Sequence, residues 1–262
     1  MLTVGSLFAG IGGFDLGLER TGMQVKWQVE IDPYCLKVLE KHWPHVRRYT
    51  DIKTVDWSGV EPVDLVCGGF PCQPVSVAGK RKGTADERWL WPEFVRCFSV
   101  LRPRYVLIEN VPGLLAANDG LAFAEVLRDL AASGYDAEWD CVPAAAVGAP
   151  HLRDRVWLLA YPASIERFNG HERRLFSGVL PQGNGYDETK RSKNWELVEL
   201  VEGVCRRDAA DWWKAQSRVD RSVDGIPDHM DRNHAIGNAV VPQVVTWIGQ
   251  RIIECDKQNS KA

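Results

Sequence analysis

With 262 residues, 45 % of them hydrophobic and 26 % charged, the chain has the make-up of an ordinary globular protein, with room for one large domain or one domain carrying a modest insert. Its formal net charge of −3 lacks the strongly basic balance that points to nucleic acid and by itself neither supports nor excludes such a partner, so any phosphate-binding surface has to be a local patch. No apolar run reaches the roughly 18–20 residues of a membrane span. The start MLTVGSLFAG has no basic leader, and seven scattered cysteines argue against disulfides and a structural zinc, which makes a reducing cytoplasm the expected compartment.

Leu2–Phe8 is a short apolar run ending in a glycine-rich turn, and Gly12–Arg20 reads as a helix stopped by Gly22. Gln24–Ile31 is β-rich, and Pro33 opens a helix towards Trp43. His42 and His45 at its end have HxxH spacing without evident companion ligands, so a helix end is expected there and no metal. Val63–Cys67 is a continuous apolar run, as in a strand buried on both faces. Glu87–Leu101 has helical spacing, Tyr105–Ile108 is another buried strand, and Leu121–Ala132 is a helix ending at Gly134. Ala137–Val142 and Arg155–Tyr161 read as neighbouring strands. This rhythm predicts an α/β fold: a doubly wound, mostly parallel sheet with helices on both faces.

The pattern breaks after Tyr161. Residues 161–232 hold 12 Lys/Arg against 13 Asp/Glu, so the stretch is polar but not basic, while Trp195, Trp212 and Trp213 argue against disorder. Helical periodicity returns after Pro242, where Val244, Val245, Ile248 and Ile252 share one face. The expected organisation is a core of residues 1–160 plus 236–262 around an inserted module of 161–235.

Five segments carry candidate chemistry. Phe8-Ala-Gly-Ile-Gly-Gly-Phe14 lies between a strand and a helix, where a doubly wound sheet binds ligands and glycines let the backbone approach closely. Glu30 ends the next strand, 20 residues after Gly10, where an acid can take both hydroxyls of a ribose; Asp51 ends the following extended segment and can reach an adenine amino group. A tight turn followed by an exposed acid explains the same residues. Gly68-Gly69-Phe70-Pro71-Cys72-Gln73-Pro74 follows a buried strand, which sets Cys72 at the ligand edge as a nucleophile, or as a small core residue. The basic run Lys80-Arg81-Lys82 between glycines reads as a solvated face or as a phosphate contact. Glu109-Asn110-Val111 puts a carboxylate at the same edge, either as a cap or as a buried acid that holds a proton. Arg153 and Arg155, two residues apart on extended chain, share a face, and Gly237-Asn238-Ala239-Val240-Val241-Pro242 is a turn opening the last helix.

In this order the segments resemble the C5-cytosine-specific DNA methyltransferase family, of the bacterial or phage restriction-modification type. FAGIGGF is similar to its cofactor motif, GGFPCQP to its catalytic motif, ENV to its acidic motif and GNAVVP to its last motif. The resemblance covers the chain except about 161–230 and implies a Rossmann-like, S-adenosylmethionine-dependent fold with a small recognition module. It implies Cys72 as covalent nucleophile towards C6 of a flipped-out cytosine, Glu109 holding a proton at N3, Arg153 at the cytosine oxygen, and Arg155 holding the acid or the loop. Phe8 and Gly10 would meet the methionine end of the cofactor, Glu30 its ribose, and Asp51 its adenine. Gly12, Gly13, Ile52, Gly68, Pro71, Asn238 and Ala239 would complete the cofactor site, Asn238 also steadying the catalytic loop. Gln73, Ser76, Lys80, Arg81 and Lys82 would contact DNA. The implied partners are double-stranded DNA and a restriction endonuclease acting independently, with a monomeric, membrane-free protein that releases S-adenosylhomocysteine.

One departure stands out: His151-Leu152 precedes the arginines where the family has Gln and a basic residue, which bears on how the target base is placed. Three other readings account for less. A dehydrogenase needs the third spaced glycine of GxGxxG and leaves PCQ and ENV without a role; a non-catalytic relative would not need all of Cys72, Glu109, Arg153 and Arg155; an RNA cytosine methyltransferase would share the fold. There is no (D/S/N)PP(Y/W/F) segment, so an exocyclic nitrogen is not the expected target.

Overall fold

A computed structural model describes residues 1–71, 89–149, 152–163, 235 and 237–259. Seven strands form one sheet: β1 (Thr3–Leu7), β2 (Gln24–Val29), β3 (Arg47–Tyr49), β4 (Leu65–Gly68), β5 (Tyr105–Asn110), β6 (Tyr135–Pro143) and β7 (Asp154–Pro162). Their order is β3-β2-β1-β4-β5-β7-β6. The first five pair in parallel, while β7 runs antiparallel to both β5 and β6. The mostly parallel sheet and the β6/β7 neighbourhood expected from sequence are both present. The fourth strand sits further along than its apolar run suggests, at Leu65–Gly68, because Gly68 pairs with both Leu7 and Ile108.

Alternate residues of the central strands face opposite layers, as the period of two requires. Val66, Val106 and Ile108 join one core with Phe94 and Phe98 of α3 (Trp91–Leu101) and Val126 and Leu130 of α4 (Leu121–Ala132). Leu65, Cys67 and Leu107 face the other, built with Phe14 and Leu18 of α1 (Gly13–Glu19) and Val245, Ile248 and Ile252 of α5 (Pro242–Asn259). The last helix therefore lies on the first. A Cβ at Gly17 would stand 2.5 Å from Cβ of Val245 and 2.7 Å from the Pro242 carbonyl oxygen. Thr246 Oγ1 donates to the Gly17 carbonyl at 3.0 Å.

Local chemistry sets the starts of α2 and α3. Asp32 caps α2 (Pro33–His42), its Oδ1 accepting from the backbone of Tyr34 and Cys35 at 2.9 Å each, with Pro33 in the first turn. α3 likewise has Pro92 in its first turn and starts at Trp91, inside the expected Glu87–Leu101 segment.

Candidate active site

The parallel register brings the ends of five strands to one level: Leu7 faces Val29 and Gly68, Val29 faces Tyr49, and Gly68 faces Ile108. Whatever follows these residues lines one edge of the sheet. That edge carries Phe8–Gly13, Glu30, Asp51, Gly69–Pro71 and Glu109–Asn110, the segments singled out from sequence. Because β7 is reversed, with Val156 opposite Asn110, its starting residues Asp154 and Arg155 reach the same edge.

At the β1 end the chain turns sharply, with positive φ at Phe8 (52°), Gly10 (55°) and Gly12 (87°). The glycines serve different purposes. A Cβ at Gly10 would meet nothing within 4 Å, so the backbone there fronts open space. At Gly12 a Cβ would lie 2.4 Å from the Trp43 ring, and at Gly13 2.6 Å from the Val240 carbonyl oxygen; packing explains the lack of a side chain at Gly13, and packing together with the positive φ explains it at Gly12. Glu30 ties the turn down. Its Oε2 accepts from Gly10 N at 2.7 Å, and its Oε1 accepts from Ile31 N and Asp32 N at 2.8 Å each. Asp51 caps a short 3₁₀ turn, Ile52–Thr54, its Oδ1 accepting from Lys53 N at 2.9 Å.

Glu109 lies within β5, one residue beyond the expected strand end, and only 9 % of it is exposed. Arg155 Nε sits 2.9 Å from its Oε1. A Cβ on Gly69 would come within 2.9 Å of Glu109 Oε2, so Gly69 has to be glycine for the carboxylate to pass. Burial pushes the Glu109 carboxyl above the usual range, while the Arg155 and Arg153 guanidiniums pull it back. Arg153 departs from the expectation of two arginines on one extended face. It precedes β7 with φ 38°, and its Nη2 donates to the Ala239 carbonyl at 2.7 Å. Through that bond the turn before α5 is tied to Arg153 at the acid site. Leu152 is 45 % exposed, and His151 falls outside the described residues.

Cys72, Gln73, Ser76, Lys80, Arg81 and Lys82 lie outside the described residues, as does nearly all of the 161–235 module. Both flanks of segment 72–88 are described. Phe70 and Trp89 meet edge to face at 5.2 Å, and Asn110 Nδ2 donates to the Phe70 carbonyl at 3.1 Å. Asn110 thus anchors the peptide leading into Pro71-Cys72, a role that sequence did not reveal although the residue stood in ENV. Asp15 was also missed. It is fully buried in α1, accepting from Ser6 Oγ at 3.2 Å and Gln28 Nε2 at 2.9 Å, and burial raises its pKa to about 6. Its signal was a lone carboxylate on a helix face otherwise made of Phe14, Gly17 and Leu18.

A seven-stranded sheet with a single reversed strand, a glycine turn after β1 and acids after β2 and β3 defines the Rossmann-like fold of S-adenosylmethionine-dependent methyltransferases. The Entamoeba histolytica methyltransferase EhMeth has this fold, with a TM-score of 0.63, 15 % identity and coverage of 97 % of this chain and 98 % of that one. The profile of the family described as C-5 cytosine-specific DNA methylase matches residues 2–199, and the chain belongs to that family. It is 36 % identical to the Type II methyltransferase M.NgoMIV of Neisseria gonorrhoeae, over 96 % of this chain and 97 % of that protein. It is 37 % identical to the Type II methyltransferase M2.BsuMI of Bacillus subtilis, over 96 % of this chain and 75 % of the relative. The match spans only 41 % of another relative, M.HgiCII of Herpetosiphon aurantiacus. These relatives make the chain an enzyme of the DNA (cytosine-5-)-methyltransferase class, of restriction-modification type. Among the described residues no helix is long and apolar enough to cross a membrane.

Proposed function

We propose that this chain methylates carbon 5 of a cytosine in double-stranded DNA through a covalent bond from Cys72, with Glu109 managing the proton at N3. The observation that carries the reading is the buried Glu109 carboxylate, paired with Arg155 at 2.9 Å and set against Gly69 at the entry to Cys72. Carbon 5 of cytosine is a poor nucleophile and has to be activated. The Cys72 thiolate adds to C6, forming an Sγ–C6 bond and pushing electrons towards N3 and C5. A carboxyl whose burial favours the protonated form supplies the proton that keeps charge off N3. S-adenosylmethionine, when bound, supplies a methyl group on a sulfonium and leaves as S-adenosylhomocysteine. After methylation a base from solvent takes the C5 proton, the Sγ–C6 bond breaks to return the thiolate, and the proton held at N3 goes back to Glu109.

The open face at Gly10, with Phe8, Glu30 and Asp51 along one sheet edge, suits a nucleoside-bearing methyl donor. Gly68, Pro71, Ile52 and Asn238 are assigned to the same cofactor site. Gln73, Ser76 and Lys80–Lys82 are assigned to DNA, and the target base leaves the stack at a cost of a few kcal/mol. The chain acts as a cytoplasmic monomer, with any cognate endonuclease working independently. Duplex DNA carrying 5-fluorocytosine tests this directly, because the fluorine cannot leave as a proton does. A denaturation-resistant protein–DNA complex is expected, and none with Cys72→Ala. Methylation by the Ala variant, or transfer to RNA in preference to duplex DNA, would overturn the proposal.

A further inference from the structure

Arg96, in the middle of α3, belongs to none of the segments that carry chemistry, yet all three of its nitrogens are engaged. Nη1 donates to the Val55 carbonyl at 2.7 Å, Nη2 donates to the Ile52 carbonyl, and Nε donates to Glu93 Oε2 at 2.8 Å. Its guanidinium carbon lies 5.9 Å from the ring centroid of Trp57, which is itself buried. The two carbonyls flank the turn that Asp51 opens. The Asp51 carbonyl already accepts from Thr54 N and Thr54 Oγ1, both at 3.0 Å. Asp51 Oδ1 accepts from Lys53 N, and among the described residues Oδ2 accepts no hydrogen bond. A short 3₁₀ turn has few internal bonds to hold its shape, and here a planar, permanently charged fork grips it from a neighbouring helix.

We infer that Arg96 is a positioning residue for recognition of the cofactor's adenine: by fixing the Ile52–Val55 turn it holds the Asp51 carboxylate where it accepts from the adenine amino group. This rests on the reading of Asp51 as the adenine acid. The chemistry predicts more than loss of stability. A carboxylate held in place accepts from the amine of adenine and rejects hypoxanthine, which presents a carbonyl oxygen at the same position. A carboxylate on a loosened turn loses that discrimination.

The experiment measures binding of S-adenosylhomocysteine and S-inosylhomocysteine to the full chain, alongside thermal melting. The native chain is expected to prefer the adenosyl compound by roughly tenfold or more, the scale of one hydrogen bond to a carboxylate. Asp51→Ala should abolish the preference. Arg96→Met should remove most of it, and Arg96→Lys, which keeps the charge but reaches fewer carbonyls, should restore part. A merely structural role would weaken both compounds equally and leave their ratio intact. If Asp51→Ala flattens the ratio while Arg96→Met keeps the native one, the role of Arg96 is refuted. If Asp51→Ala keeps the preference, the Asp51 reading itself fails and the role of Arg96 falls with it, an outcome distinct from the one in which only Arg96 is refuted. Should Arg96→Met not fold, Arg96→Lys decides, and an unchanged ratio there refutes the inference.

Discussion

Three carboxylates on or beneath one sheet edge are made different by their surroundings. Glu30 satisfies three backbone N–H groups, Glu109 is buried against two arginines, and Asp15 is buried between Ser6 and Gln28 with no cation bonded to it among the described residues. Their substitutions should therefore read out separately. Glu109→Gln is expected to lower turnover by about 10²-fold or more, the usual scale for a positioned acid, while cofactor affinity stays within a few-fold. Glu30→Ala should weaken cofactor binding first. It should also cost about 1–3 kcal/mol of stability, because Gly10, Ile31 and Asp32 lose a common acceptor. Equal effects of both changes on turnover and affinity would sink this division. Asp15 adds a pH dependence. Its folded pKa, about 6, lies above the ordinary 3.8, so the folded chain holds this proton more tightly than the unfolded one. Its contribution to stability is greatest below pH 3.8, is lost as pH rises through about 6, and is flat beyond. The loss amounts to roughly 3 kcal/mol at 1.36 kcal/mol per pKa unit. Urea denaturation at several pH values should show Asp15→Asn gaining on the native chain between pH 4 and 6; parallel profiles would contradict the assignment.

Among the elements, the same substitution should act through different causes at two glycines. Gly17→Ala would add helix propensity worth about 1 kcal/mol. The new Cβ, however, meets Val245 and the backbone oxygen of Pro242 below 3 Å, and prying α5 from α1 costs about 1–3 kcal/mol, so a net loss is expected on melting. Gly10→Ala meets no atom, and its positive φ costs only about 1–2 kcal/mol. Its larger effect should fall on cofactor affinity, and a Gly10 variant binding the cofactor normally would exclude close approach there. Apolar periodicity, glycines and prolines located the strands and helices, because these signals are local. The direction of β7 was not legible: reversing a strand leaves its alternation unchanged, and only pairing with β5 reveals it. The same limit hid Arg153 bound to Ala239, 86 residues away, and Arg96 bound to Ile52, 44 residues away. Glu30, Asp51 and Glu109 were legible because each follows or ends a strand of a parallel sheet, so position in the chain fixes position at the edge.

For the molecule as a whole, the expected division is that the core performs the chemistry and residues 161–235 choose the DNA site. A base contact discriminates by about 1–3 kcal/mol, whereas a phosphate contact weakens all sequences alike. Alanine changes at Arg173, Arg174, Lys190, Arg191, Lys193, Arg206 and Arg207 should thus split into two groups, read by bisulfite sequencing and salt titration. One group relaxes the site at a single position; the other lowers activity on every substrate. If all seven variants keep the parental site and salt slope, the segment does not read DNA. The packing of α5 on α1 has its own consequence for how the protein comes into being. The bond from Thr246 to Gly17 closes a span of 229 residues, and the sheet face of Leu65, Cys67 and Leu107 shares its core with side chains as late as Ile252. A nascent chain emerging from the ribosome therefore carries that face without its late cover until α5 has been made, and local order cannot bury it. Competence is expected only once synthesis has passed α5, and until then the greasy half-sheet is a natural client for chaperones.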